Sequence, residues 1–263
     1  MTQTDKMLSR KEGRTGYMIF NNPERHNAVS LEMWEAASRI MDDFARDDDV
    51  RVVVITGAGG KAFVSGADIS KFESERANEE AQARYNAMVA KANDALYEFP
   101  KPTIAMIRGY CIGGGLGLAV CCDLRIASDN SRFAIPAAKL GLGYGFPGIK
   151  RLSDLVGPSF TKEIFYTARQ FDAAEAQAMG LVNRVLPADG VEAYVKDYAE
   201  TIAGNAPLTV NSVKVIANET VRDESKRDLA RCADLVKQCF ASKDYIEGRR
   251  AFMEKRKPAF TGA

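Results

Sequence analysis

Three consecutive glycines indicate chemistry more directly than any other feature of this sequence. Gly113-Gly114-Gly115 follow an apolar run and precede small residues, an order that predicts a strand, a turn and a helix. The first N–H groups of a helix can bind a phosphate or a developing oxyanion. No Gly-Lys-Ser/Thr follows and no acidic residue lies at the dinucleotide-binding spacing, so neither phosphate-loop motif fits. Close packing of helix on strand explains the glycines equally well.

A second segment of small residues, Ala62–Ile69, follows another apolar run at 51–57. Small side chains expose backbone N–H groups here too, and an ordinary strand-to-helix loop is the alternative interpretation. Tyr144 stands in a third glycine-rich stretch, Gly141-Leu142-Gly143-Tyr144-Gly145. Its hydroxyl can orient a ligand or supply a proton, or it can simply face water.

The composition excludes several classes of protein. The chain has 263 residues, with 36 Lys+Arg against 35 Asp+Glu, and this balance argues against a general nucleic-acid binder. No apolar run is long enough for a membrane span. The polar N-terminus lacks the apolar core of a secretory signal, so we expect a cytoplasmic protein. One histidine, His26, and five cysteines without a C-x-x-C pair predict no metal site and no disulfide scaffold.

The periodicity of apolar residues predicts an α/β core followed by helices. Strands are expected at 17–20, 51–57, 103–109 and 124–128, and a helix at 31–46 with Ser30 as its N-cap. Asp172 and Glu175 form a capping-box pattern, with Gly180 as the helix stop. Further helices are predicted at 81–99, 189–204, 207–219, 224–240 and 243–254. We divide the chain into an α/β core, 1–190, and a helical C-terminal region, 191–263.

Two long motifs resemble the crotonase superfamily, the enoyl-CoA hydratase/isomerase family. KAFVSGADISKF is similar to its first oxyanion-hole segment, and KPTIAMIRGYCIGGGLGLAVCCDLRIAS is similar to its second. NNPERHNAVSLEM, RLSDLVG, DAAEAQAMGLVNRVLP and EGRRAFMEKRKPAF fit the family in order, so the resemblance covers nearly the whole chain. It implies the crotonase-type ββα spiral core and a helical C-terminal region that forms a homotrimer or a homohexamer.

The resemblance also implies the site. The N–H groups of Ala67 and Gly114 would bind the carbonyl oxygen of an acyl-CoA thioester and stabilise it as an enolate. Coenzyme A would be part of the substrate, so no separate cofactor is implied. The residues that the resemblance implies for binding substrate or coenzyme A are Arg25, Gly66, Ala67, Asp68, Ile69, Gly113, Gly114, Phe252 and Lys255.

The sequence departs from the family's hydratases at two positions. The resemblance places one catalytic glutamate at Gly117 and the other at Ala137, and neither residue can transfer a proton. Hydration, which needs a base for water and an acid for the α-carbon, is therefore not expected. The nearby acids Asp68, Glu73 and Glu75 are possible substitutes, but we expect them to face solvent.

Three hypotheses follow from these departures. The first is a lyase-type enzyme of the hydratase/isomerase family that acts through a thioester enolate, with its acid and base unassigned. The second is a decarboxylase of a malonyl-type thioester, because Tyr144 resembles a tyrosine of the methylmalonyl-CoA decarboxylase branch. The third is a non-catalytic acyl-CoA binding protein.

Overall fold

The computed structural model describes residues 4–71 and 77–263, and of Ile69 only the backbone. Its strands are β1 (Met7–Glu12), β2 (Thr15–Phe20), β3 (Val52–Gly57), β4 (Ala62–Val64), β5 (Thr103–Ile107), β6 (Tyr110–Ile112), β7 (Leu124–Ser128), β8 (Arg132–Ala134), β9 (Phe171–Asp172) and β10 (Arg184–Leu186). Its α-helices are α1 (Leu31–Arg46), α2 (Glu79–Tyr97), α3 (Gly114–Ala119), α4 (Ala137–Leu140), α5 (Phe146–Thr167), α6 (Ala173–Ala178), α7 (Val191–Gly204), α8 (Pro207–Thr220), α9 (Leu229–Ala241) and α10 (Lys243–Met253).

The strands form two sheets, and from β3 to β8 successive strands belong to the two sheets in turn. The larger sheet has the order β1-β2-β3-β5-β7-β10 and is parallel except for β1 with β2. The smaller sheet has the order β4-β6-β8-β9. Each pair β3–β4, β5–β6 and β7–β8 places one strand in each sheet before the chain returns, which builds the predicted ββα spiral.

Helices cover both faces of the larger sheet, as a buried parallel sheet requires. Every residue of β3 is buried. On one face α1 contributes Trp34, Met41 and Phe44 to the main core. On the other face, α7 packs a stripe of small and branched side chains against β2, β3, β5 and β7. The members of that stripe are Val191, Val195, Ala199 and Ala203.

The region after α7 is helical, as predicted, and α8, α9 and α10 follow one another with short connections. The predicted division at residue 190 falls just before α7, which itself packs on the sheet. Several large apolar side chains of α8–α10 are exposed in the single chain. They include Val213, Leu229, Val236, Phe240, Ile246 and Phe252. The described residues contain no helix long and apolar enough to span a bilayer.

The structure adds to or corrects the local expectations at three places. The polar segment 7–12 forms an edge strand, β1, which pairs with β2 through its backbone while only Met7 is buried; no apolar alternation marks it. The helix predicted from 224 begins at Leu229, where the Asp228 side chain accepts the N–H of Arg231. Ser30 occupies the N-cap position of α1, but its hydroxyl makes no capping hydrogen bond. The capping box of Asp172 and Glu175 is confirmed.

Candidate active site

The two small-residue segments meet at their glycines. Gly66 has φ +105°, and a Cβ built on it would lie 3.3 Å from the carbonyl oxygen of Ile112 and 3.8 Å from the nitrogen of Gly114. A Cβ on Gly114 would in turn lie 3.9 Å from Cα of Gly66. Because the two turns are in van der Waals contact, backbone groups from both can reach one ligand atom.

The N–H of Ala67 is aimed by a single β-bridge to Val29. The N–H of Val29 donates to the carbonyl of Gly66 at 2.9 Å, and the N–H of Asp68 donates to the carbonyl of Val29 at 3.0 Å. In this parallel pattern both backbone hydrogen bonds of Val29 go to the residues on either side of Ala67. The N–H of Ala67 therefore points away from Val29, and no acceptor in the described part of the chain takes it.

The N–H of Gly114 is free because it begins α3. Gly113, with φ +57°, donates its own N–H to the carbonyl of Ala134 at 2.8 Å, and Gly117 donates to the carbonyl of Gly113 at 3.0 Å. Within residues 4–71 and 77–263 the Gly114 N–H has no partner. It carries the partial positive charge of a helix N-terminus. Two unpaired donors on touching turns make a site for an oxyanion.

Gly115 sets the distance between the two segments. It is buried, and a Cβ on it would lie 2.0 Å from the carbonyl oxygen of Val64 in β4. Only glycine lets α3 approach β4 this closely, and β4 leads directly into the turn of Ala67. Gly115 is therefore a packing residue. The packing explanation of the glycine triplet applies to Gly115, and the ligand-binding explanation applies to Gly114.

Asp68 is buried, with 4 % of its side chain exposed, so the expectation that it faces solvent was wrong. Its Oδ1 accepts the N–H and the hydroxyl of Ser70, at 3.1 and 2.7 Å. The same oxygen lies 3.6 Å from Nη1 of Arg25, whose side chain is 55 % exposed. Asp68 is thus held as a turn-forming carboxylate, while Arg25 stands at the rim beside the loop. The alternatives Glu73 and Glu75 lie outside the described residues.

Tyr144 lies on the loop between α4 and α5. Its ring is half-buried and packs edge-on against Phe165 of α5, with centroids 5.0 Å apart. The N–H of Leu142 donates to the carbonyl of Ala137 at 3.0 Å, which ties this loop to the start of α4. Tyr144 is therefore a fixed side chain on the loop that follows Ala137.

Comparisons with known proteins identify the family. The family model described as enoyl-CoA hydratase/isomerase matches residues 10–263. The chain belongs to the enoyl-CoA hydratase/isomerase family. It is 37% identical over 260 residues to the crotonyl-CoA hydratase of Syntrophomonas wolfei, covering 97% of this chain and 98% of that one. The short-chain-enoyl-CoA hydratase of Clostridium acetobutylicum is 34% identical over 255 residues, with 97% of each chain covered.

Solved structures of the family confirm the crotonase fold. A protein described as an enoyl-CoA hydratase/carnithine racemase from Magnetospirillum magneticum superposes with a TM-score of 0.92 at 35% identity, covering 99% of this chain and 97% of that one. A putative enoyl-CoA hydratase/isomerase family protein from Hyphomonas neptunium gives a TM-score of 0.92 at 34% identity, with 98% of each chain covered.

The two positions at which the resemblance places hydratase glutamates differ in their surroundings. A Cβ on Gly117 would meet nothing within 4 Å, so α3 opens onto empty space one turn beyond Gly114. Ala137 is 4 % exposed and belongs to the main apolar core. Neither position therefore supplies an acid or a base.

The C-terminal pair predicted to contact coenzyme A lies on and just after α10. Phe252 is the penultimate residue of α10 and is 83 % exposed, and Lys255 follows two residues after that helix with φ +53°. α10 packs against α9. Their role in binding stays a prediction. His26, the one histidine of the chain, packs edge-on against Tyr110 with ring centroids 5.9 Å apart.

Proposed function

We propose that this protein binds an acyl-CoA thioester and stabilises its enolate between the N–H groups of Ala67 and Gly114. The observation that supports this proposal is that these two donors are unpaired within the described residues and lie on touching turns. Preorganised donors of this kind stabilise an oxyanion without reorganising during the reaction. Relatives named as crotonyl-CoA and short-chain-enoyl-CoA hydratases support a thioester as the substrate class.

The reaction is one that needs enolate stabilisation but no carboxylate at positions 117 or 137. Gly117 and Ala137 cannot activate water or protonate an α-carbon. Simple hydration by the family's two glutamates is therefore not the activity that we propose. An enzyme of this kind has its acid or base elsewhere, or draws a proton from water.

A second candidate is decarboxylation of a malonyl-type thioester. The bond from Cα to the carboxylate breaks, its electron pair becomes the thioester enolate, carbon dioxide leaves, and Cα then takes a proton. Two observations favour this route. Gly117 leaves open space beside the donor helix where a glutamate would repel the substrate carboxylate, and Tyr144 is held on the neighbouring loop. Replacing Tyr144 by Phe would then abolish turnover while thioester binding persists.

The first experiment is mass spectrometry of a pool of enoyl-CoA and malonyl-type CoA thioesters after incubation with the purified protein. Loss of carbon dioxide supports the decarboxylase. Gain of water shows that hydration proceeds without the two glutamates and refutes our reading of positions 117 and 137. Binding of the pool without turnover supports the third alternative, a non-catalytic acyl-CoA binding protein.

The variant Gly114→Pro tests the oxyanion donors directly. Proline fits the first position of a helix but has no N–H, so one donor is lost and any turnover falls about 100- to 1000-fold. Gly204→Ala is the control, because Gly204 ends α7 far along the chain and a Cβ there meets nothing within 4 Å. Full turnover in Gly114→Pro contradicts the proposed site.

We also propose that the protein assembles as a homotrimer or homohexamer through α8–α10. These helices leave large apolar side chains exposed in the single chain, and exposed apolar patches often mark protein interfaces. Light scattering after size-exclusion chromatography should give three or six times the mass of 28.8 kDa. A monomer at micromolar concentration contradicts this assembly.

A further inference from the structure

A buried arginine stands at the far end of the donor helix. Arg125, on β7, is 2 % exposed. Its Nη1 donates to the carbonyls of Cys122 at 2.7 Å and Ala119 at 3.4 Å, and its Nε donates to the carbonyl of Leu181 at 2.7 Å. Ala119 is the last residue of α3. The guanidinium therefore binds the last carbonyl of the helix whose first N–H is the oxyanion donor, and a second carbonyl three residues beyond that helix.

The positive charge of Arg125 has no counter-ion in contact. Among the described residues, no carboxylate lies within ion-pair distance of it. The titratable groups that act on its charge are Cys122, Asp123, Cys121 and Cys111. Burial raises the pKa of the three thiols, that of Cys121 to about 11, so they are neutral. Asp123 is already paired with Lys214 at 2.9 Å. Burial lowers the pKa of Arg125 itself, but a guanidinium stays protonated in proteins.

We infer that the buried charge of Arg125 acts through α3 to stabilise the oxyanion held by Gly114, which makes it a positioning residue with an electrostatic effect. The inference rests on the proposed function. Gly114 and Ala119 are five residues apart, which is a rise of about 7.5 Å. The hydrogen bond from Arg125 to Ala119 adds about 3 Å, so the guanidinium is about 10 Å from the oxyanion. With an effective dielectric constant of about 20, a unit charge at that distance favours the enolate by about tenfold.

The charge and the helix act in the same direction. The N-terminus of α3 already presents a positive potential to the ligand, and a cation at its C-terminus neutralises the carbonyls that oppose this potential. An arginine that only filled space would bind carbonyls equally well, but it would leave the polarisation of a bound thioester unchanged when its charge was removed.

The test is the carbonyl stretching frequency of bound butyryl-CoA carrying ¹³C at the thioester carbon, measured by infrared difference spectroscopy. In the wild type the frequency should fall below its solution value. Arg125→Met should recover part of that shift and lower turnover about tenfold. Arg51→Met is the matched control, because Arg51 also donates to two backbone carbonyls, those of Ala203 and Phe260, but far from α3.

Arg125→Lys separates the charge from the packing and guards against misfolding of the neutral variant. Below the pKa of the new lysine, where it is charged, this variant should keep most of the wild-type shift. A buried lysine has a lowered pKa, so the frequency should then move toward the solution value as pH rises, in step with the ¹⁵N shift of that lysine. A folded Arg125→Met with the wild-type frequency, or a frequency that stays constant while the lysine ionises, overturns the inference. A wild-type carbonyl at its solution frequency overturns the proposed function instead.

Discussion

Gly115→Ala should separate the two oxyanion donors without touching either. The new Cβ would lie 2.0 Å from the carbonyl oxygen of Val64 and 2.8 Å from its carbon. These are backbone atoms of β4, so no side chain can rotate out of the way. The helix α3 must retreat from β4, and Gly114 moves with it away from Ala67.

The size of the effect follows from the distance. Carbon and oxygen atoms that are not bonded rarely approach within about 3 Å, so α3 must move by about 1 Å. Misplacing a catalytic group by that amount can cost about 100-fold in rate. Overpacking of this kind also destabilises a core by about 1–3 kcal/mol. We therefore expect a folded, moderately destabilised protein with a large loss of turnover.

The assay combines denaturant unfolding with turnover of whichever thioester the pool experiment identifies. Gly117→Ala is the matched stability control on the same helix, since a Cβ there meets nothing within 4 Å and alanine stabilises a helix by about 0.5–1 kcal/mol relative to glycine. Gly204→Ala, at the end of α7, is the control for turnover. A Gly115→Ala protein with wild-type turnover and stability would show that the contact between α3 and β4 does not set the site.

Three further predictions follow. Gly117→Glu should fold normally because its position is open. Ala137 is buried in the apolar core, so Ala137→Glu should lower the free energy of unfolding. The folded double variant should add water to a short enoyl-CoA, seen as loss of enoyl absorbance; no gain over wild type in a folded double variant would mean that other groups are also missing. Arg25→Gln should raise KM for a CoA thioester and leave kcat unchanged. Because Arg25 is 55 % exposed, the free energy of unfolding should change by less than about 1 kcal/mol. An equal rise in KM for a pantetheine thioester, which lacks the nucleotide, would argue against a contact with the coenzyme phosphates. Burial raises the pKa of Cys121 to about 11, so about 0.1 % of this thiol is thiolate at pH 8. Iodoacetamide should therefore modify the thiols of α9 before Cys121. Peptide mapping that finds Cys121 alkylated in the native protein would contradict its burial.

Most of the fold was predictable because its elements are marked by local patterns. The helix 31–46 has apolar residues at helical spacing, and its structure agrees to the residue. The strand predicted at 124–128 also agrees. The edge strand β1 was not predictable, because its stabilising interactions are backbone hydrogen bonds to β2 and its side chains are polar and exposed.

The candidate site was only partly predictable for a related reason. The sequence marks the glycines that permit a close approach, and it shows that positions 117 and 137 carry no carboxylate. It placed Asp68 wrongly in solvent, because a carboxylate next to a loop is usually exposed. In the structure, Ser70 donates hydrogen bonds to Asp68, and Arg25 lies within ion-pair distance of it. The contact with Ser70 forms only when the turn folds, and the contact with Arg25 forms only when a distant segment packs beside that turn.

The sequence by itself determined the family, the order of the main helices and buried strands, and the side chains that this protein lacks for hydration. These properties are local, or are carried by motifs that survive in linear order. Only the tertiary structure decided where the donors point and what lies behind them. The direction of the Ala67 N–H depends on a bridge to Val29, and the place of Arg125 depends on carbonyls of α3 and of Leu181. Contacts between segments so far apart in the chain leave no periodic pattern, because they form only when the spiral closes.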